Sequence, residues 1–371
     1  MQFPSVDPIP VPAPVWLMKV LSLVTLALHF SAVMLLVGSL LLVLYHNTRG
    51  RSRRDADQVS ASFVLARRLP VIMTYVINLG IPPLLFAQVL YGRALYTSSI
   101  LIGVLWFAVI PLLMLAYWLL YRIAPRIEKG QSVLLITLVA LGIVVGVGHI
   151  YAMNMTLMLR PEVWQEMYAR SPYGLQGVSG DPTVTPRWLF VMSGGLVFGG
   201  LWAALLAGMP HLSAGTQAHL RRSGGGMTAI GAVIQVLCAL MVVQTQPVAV
   251  RQALVSNALY PGAGLLFLGA IVIAAVLAVW QGMGTHSRVP IAVSGLAAGF
   301  LSTLGAVVYR DGIRDVTLLQ RGFDVWQRTE VSNWSVIVLF LLLFVIMLGV
   351  LYWLLRVMQR ATPPGEQVVV P

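Results

Sequence analysis

The sequence predicts an all-α polytopic membrane protein with nine transmembrane helices, and three observations carry that reading. Hydrophobic residues fill 58% of the 371 positions and charged residues only 10%, well under half of the roughly 25% charge usual in soluble domains. Mean hydropathy is +0.85. Charge-free windows long enough to cross a bilayer as a helix, at least about 18 residues, occur nine times, at 20–48, 69–92, 94–121, 130–159, 188–220, 223–250, 252–287, 289–309 and 331–355. None shows the two-residue alternation of a barrel strand.

The order of elements follows from these windows. Residues 1–15, with Pro4, Pro8, Pro10, Pro12 and Pro14, lack a basic leader region and read as an extended arm on the outer face. Helices 1–4 occupy 16–158, an outer loop 159–187, helices 5–8 188–309, and an outer amphipathic loop 310–333. Helix 9 occupies 334–356 and an inner tail 357–371, all within one integral membrane domain, 1–371. The two long loops read as amphipathic helices lying at the interface. Orientation follows from the basic residues between helices. With the N-terminus outside and the C-terminus inside, 14 of the 24 basic residues face inward, including six Arg between the first two helices, and eight of the 12 acids face outward. The net charge of +12 thus records topology. Its spread along the chain, without basic clusters, gives no nucleic-acid footprint.

Two features suggest internal organisation. His29-Phe30 followed by Gly38-Ser39-Leu40 in the first helix parallels Phe190-Val191 followed by Gly199-Gly200-Leu201 in the fifth. That spacing suggests two four-helix bundles plus a ninth helix. Glycines recur along several helices, where small residues permit close helix approach. A single cysteine, Cys238, excludes an intrachain disulfide and a Cys-ligated metal site.

No acid lies inside a charge-free window, so histidines carry the search for chemistry. His46, His211, His219 and His286 fall near inner helix ends, where water or headgroups suffice to explain them. His29 and His149 lie deeper, roughly 16–22 Å from the outer surface at 1.5 Å per residue. Two neutral imidazoles at similar depth on different helices are what an intramembrane b-type haem needs as iron ligands. The alternative is a structural hydrogen bond for each. Met153 lies close to His149 as a candidate thioether ligand, or as core packing. Arg160, Arg310 and Arg314, on the outer edge, are candidates to neutralise haem propionates or to hold a quinone headgroup.

His29-Phe30 with its apolar run and Gly38, Ala152-Met153-Asn154 with Met158 and Arg160-Pro161, Tyr260-Pro261-Gly262-Ala263-Gly264, and Arg310-Asp311-Gly312-Ile313-Arg314-Asp315 together resemble cytochrome bd-type quinol oxidase subunit I. The resemblance is diffuse and covers most of the chain. It implies haem ligation by His29 alone, since His149 is at no ligand position of that family. Phe190-Val191-Met192 stands where the family has a fifth-helix His. The third helix has no Glu, the seventh no Met ligand, and no long quinol-binding loop is present. Oxygen reduction by this chain alone is therefore not expected.

The expected function is a membrane subunit of a respiratory electron-transfer complex in the cytoplasmic (inner) membrane. It would bind one haem b and exchange electrons between quinone and an outer-face partner such as a c-type cytochrome. Two alternatives remain open: a haem-free anchor for partner subunits, and a small-solute transporter. The absence of intramembrane acids and of paired broken helices counts against the transporter.

Overall fold

The computed structural model describes residues 10–178 and 180–360. Twelve α-helices are formed among them: α1 Val15–Arg53, α2 Ala56–Ala66, α3 Leu69–Leu101, α4 Gly103–Glu128, α5 Leu134–Leu157, α6 Trp164–Arg170, α7 Val184–Leu206, α8 Ala214–Gln244, α9 Val248–Ser256, α10 Leu259–Met283, α11 Val289–Gln320 and α12 Trp334–Arg360. Nine segments among the described residues are long and apolar enough to cross a membrane, with α2 and α3 counted as one. The chain is a multi-pass membrane protein.

Below, the end of the bundle where α1 starts is the proximal end and the end near Arg53 the distal end. At 1.5 Å per residue the 39 residues of α1 run about 58 Å, well beyond a hydrocarbon core of about 30 Å. Pro14 supplies no side-chain cap to α1; instead Val15 N–H donates to Glu330 Oε1 at 2.8 Å, placing an anion at a helix N-terminus. The arm preceding it is held in place, because Val11 N–H donates to the Thr329 carbonyl and Val331 N–H to the Val11 carbonyl. Residues 1–9 of the expected arm and 361–371 of the expected tail lie outside the described residues. At the distal end Arg54 adopts a left-handed conformation, φ 54°, which turns the chain. Asp55 then caps α2 by accepting from Gln58 N–H.

Helices α1, α3, α4 and α5 pack as one four-helix group and α7, α8, α10 and α11 as a second, with α1 against α7 between them. Helix α12 lies along α3, where Tyr75 Oη donates to the Leu351 carbonyl at 2.9 Å and Phe86 meets Phe340 edge-on. The α1–α7 crossing is backbone to backbone: a Cβ added to Gly38 would sit 2.6 Å from Gly199 Cα. Any side chain there would push the two groups apart. Gly38 and Gly199 are the positions matched by the internal repeat, so equivalent residues meet at the crossing.

Three expectations need correction. The charge-free windows do not coincide with the helices, and charged residues do enter the helices. Lys19 lies in the second turn of α1 and Asp311, Arg314 and Asp315 lie in α11. Burial is possible because these charges pair with one another, as described below. Arg93 does not end a helix: α3 passes through it to Leu101, bent at Tyr91 (φ −130°, ψ 26°), and the break comes at Ile102. There Gly174, in the loop after α6, packs against the Gly103 backbone. Residues 310–320 continue α11 instead of opening a separate interfacial loop, since they present Ile313 and Leu318 to the core beside the paired charges. Only 321–333 is irregular.

Candidate functional site

His29 points from α1 towards α3. Its Nδ1 lies 3.0 Å from the Val76 carbonyl oxygen. A carbonyl only accepts, so Nδ1 carries the proton and Nε2 keeps its lone pair. Gly80, one turn on, makes room for the ring: a Cβ there would sit 2.8 Å from His29 Cε1. The imidazole is thus seated and oriented, with its tautomer fixed in the manner usual for a metal-ligating histidine. This donor set fits one axial ligand of a haem.

His149 has no such arrangement. Its ring stands edge-on to Trp188 of α7, with centroids 5.4 Å apart at 86°, and it makes no hydrogen bond among the described residues. Trp188 itself donates from Nε1 to the Val145 carbonyl. The two histidines matched in depth therefore turn to different neighbours, α3 and α7. Met153 is buried in the core beneath the loop after α6, its Sδ close to Gly177. At the distal end, His46 Nε2 lies 3.0 Å from Ser223 Oγ and His219 Nε2 3.0 Å from Asp55 Oδ2. These are local contacts between α1, α8 and the start of α2.

The proximal end holds a charge cluster that the sequence reading did not find. Lys19, 4% exposed, forms ion pairs with Asp311 and Asp315 of α11 and donates to Tyr91 Oη at 2.8 Å. Tyr91 Oη in turn donates to Asp315 Oδ1 at 2.8 Å. Arg314 pairs with Asp311 and stacks over the Tyr91 ring at 4.0 Å. Two cations and two anions close a neutral network joining α1, α3 and α11. The available signal was the i, i+3, i+4 spacing of Asp311, Arg314 and Asp315, which puts all three on one helical face. Nothing in the sequence pointed to Lys19 as their partner.

Of the three arginines expected to meet an anion, two already have carboxylate partners. Arg314 belongs to this network, and Arg160 pairs with Glu162 and Asp181, each at 3.1 Å. Arg310 differs. It makes no ion pair or hydrogen bond among the described residues, and lies 5.9 Å from the centre of the Phe30 ring. Its side chain lines a half-open cavity of about 200 Å³ between α7, α8, α10 and α11, with Phe30 of α1 at its wall. Arg187, not singled out from the sequence, lines the same cavity. The remaining wall is almost wholly apolar and contains no histidine, methionine or cysteine. It offers no axial ligand to haem iron.

No family model matches this sequence, and no curated protein matches it either. The fold is similar to that of a chain in the structure of bd oxidase from Geobacillus thermodenitrificans. The TM-score is 0.66 at 13% identity, over 96% of this chain and 100% of that one. The likeness shows a shared fold.

Proposed function

We propose that this chain is the membrane subunit of a respiratory electron-transfer complex, built on a bd-oxidase-like scaffold in the cytoplasmic (inner) membrane. In this reading it lies N-terminus out and holds one b-type haem through His29. It exchanges electrons between a quinone and a c-type cytochrome on the outer face. The observation that carries the proposal is the oriented imidazole of His29, whose Nδ1–H is spent on the Val76 carbonyl and whose Nε2 keeps its lone pair. Fold similarity to a bd oxidase chain supports the respiratory setting.

A bound haem supplies one-electron redox chemistry; the residues supply position and environment. Val76 and Gly80 fix the ring. The resting charge balance of the proximal network leaves its acids no spare role in ligation. His149, without an orienting partner, is the weaker candidate for a second axial ligand, and Met153 is committed to the core.

Purified protein should show a b-type band in its reduced-minus-oxidised spectrum. His29→Ala should abolish that band, while His149→Ala should leave most of it. A colourless, folded wild-type protein that still co-purifies with partner subunits would replace the haem reading with that of an anchor.

A further inference from the structure

The cavity between α7, α8, α10 and α11 is polarised along the bundle axis. Arg187 stands in the second turn of α7, which runs from the proximal end, and Arg310 lies in α11, which returns to it. Deeper, towards the middle of the bundle, the lining is Phe190, Phe267, Val236 and Ala306. Thr303 spends its hydroxyl on the Gly299 carbonyl.

Neither arginine forms an ion pair with an acid among the described residues. Arg187 donates to two neutral acceptors, Thr156 Oγ1 at 3.2 Å and Gln246 Oε1 at 3.3 Å. Asp181, the acid at the start of its helix, is taken by Arg160 and by the Thr183 backbone and hydroxyl. Asp311 and Asp315, next to Arg310 in sequence, are taken by Lys19 and Arg314. Two like charges facing one apolar cavity are costly in a low-dielectric interior unless an anion joins them. Guanidinium groups bind carboxylate and phosphate through paired N–H donors.

We propose that this cavity binds one anionic amphiphile, its carboxylate or phosphate held between Arg187 and Arg310 and its hydrocarbon chain in the apolar part. A fatty acid and an acidic phospholipid share that chemistry. The site is separate from His29, so it stands or falls independently of haem.

The test uses the delipidated full chain in neutral detergent and stearic acid spin-labelled near its terminal methyl. One motionally restricted label per chain is expected. The methyl ester of the same probe should bind at least ~10-fold more weakly, and so should the acid to the Arg187→Gln/Arg310→Gln double variant. Arg122→Gln, an exposed site at the distal end, should bind as wild type. Ala306→Leu fills the cavity with both arginines retained and should also lose the label, which decides the matter if the double variant does not fold. His29→Ala should keep it. Competition by phosphatidylglycerol but not unlabelled palmitate identifies a membrane lipid as the occupant, and the reverse identifies a free acid. Equal binding of acid and ester, or full binding by a folded double variant, overturns the proposal.

Discussion

Two groups of buried charge sit within a few residues of each other on α11 and are treated in opposite ways. Asp311, Arg314 and Asp315 close with Lys19 and Tyr91 into a neutral network. Arg310 turns instead to the cavity that it shares with Arg187 and forms no ion pair among the described residues. The first group ties three helices together and has no unmet charge left for a ligand. The second bonds only to neutral acceptors, Thr156 of α5 and Gln246 after α8, and keeps its charge available. Burial alone does not separate the two groups; the lack of an ion-pair partner does.

The sharpest way to break this contrast is Lys19→Met. It leaves Asp311 and Asp315 close together with only Arg314 to balance them. Removing one partner of a buried ion pair typically costs about 3–5 kcal/mol, and a loss of that order is expected in the midpoint of denaturation in mixed micelles. Restoring neutrality with Lys19→Met/Asp315→Asn should recover part of it. A Lys19→Met protein as stable as wild type would mean that the network is not closed.

Arg310→Gln, one position away from Asp311, should behave differently. In delipidated protein it removes an uncompensated buried charge and a cation–aromatic contact with Phe30 worth about 0.5–1 kcal/mol. These effects oppose each other, so stability should change by no more than about 1 kcal/mol. The same denaturation experiment reads it. A loss as large as that of Lys19→Met would show that Arg310 belongs to the network, and the contrast would fail.

The same physics explains how far the sequence could be read. Nine spans were legible because a helix facing lipid must exclude unpaired charge for most of its length, and long charge-free runs are visible in one dimension. Helix ends were less legible. The charge-free windows stop at Lys19, Arg93 and Arg310, yet the helices run on through all three. Lys19 lies within α1 because acids on α11 neutralise it. Those acids are distant in sequence. His29 was legible by depth, whereas its orientation depends on a carbonyl and a glycine notch in α3. Arg310 is visible as a candidate, but Arg187 joins it only because α7 and α11 line one cavity. The weak repeat of Gly38 and Gly199 gained meaning in three dimensions as a direct contact.

A third charge cluster, at the surface, calibrates the other two. Glu162 accepts from Arg160 at 3.1 Å and pairs with Arg321 at 2.6 Å, linking the loop after α5 to the end of α11. Partial burial pushes its carboxyl up, but its own backbone N–H, Arg160 and Arg321 outweigh that and hold it below the usual glutamate value. A lowered folded value means that the contribution is complete above the unfolded value, about 4.3, and is lost as pH falls through the folded one. With a third of the side chain exposed, solvent screening keeps the effect under about 1 kcal/mol. Hydrogen exchange in residues 159–163 should therefore rise modestly as pH drops below about 4.3, after correction for intrinsic rates. Glu162→Gln should flatten that rise. If the variant instead lost as much stability as Lys19→Met, exposure would not be what separates a surface pair from the buried network.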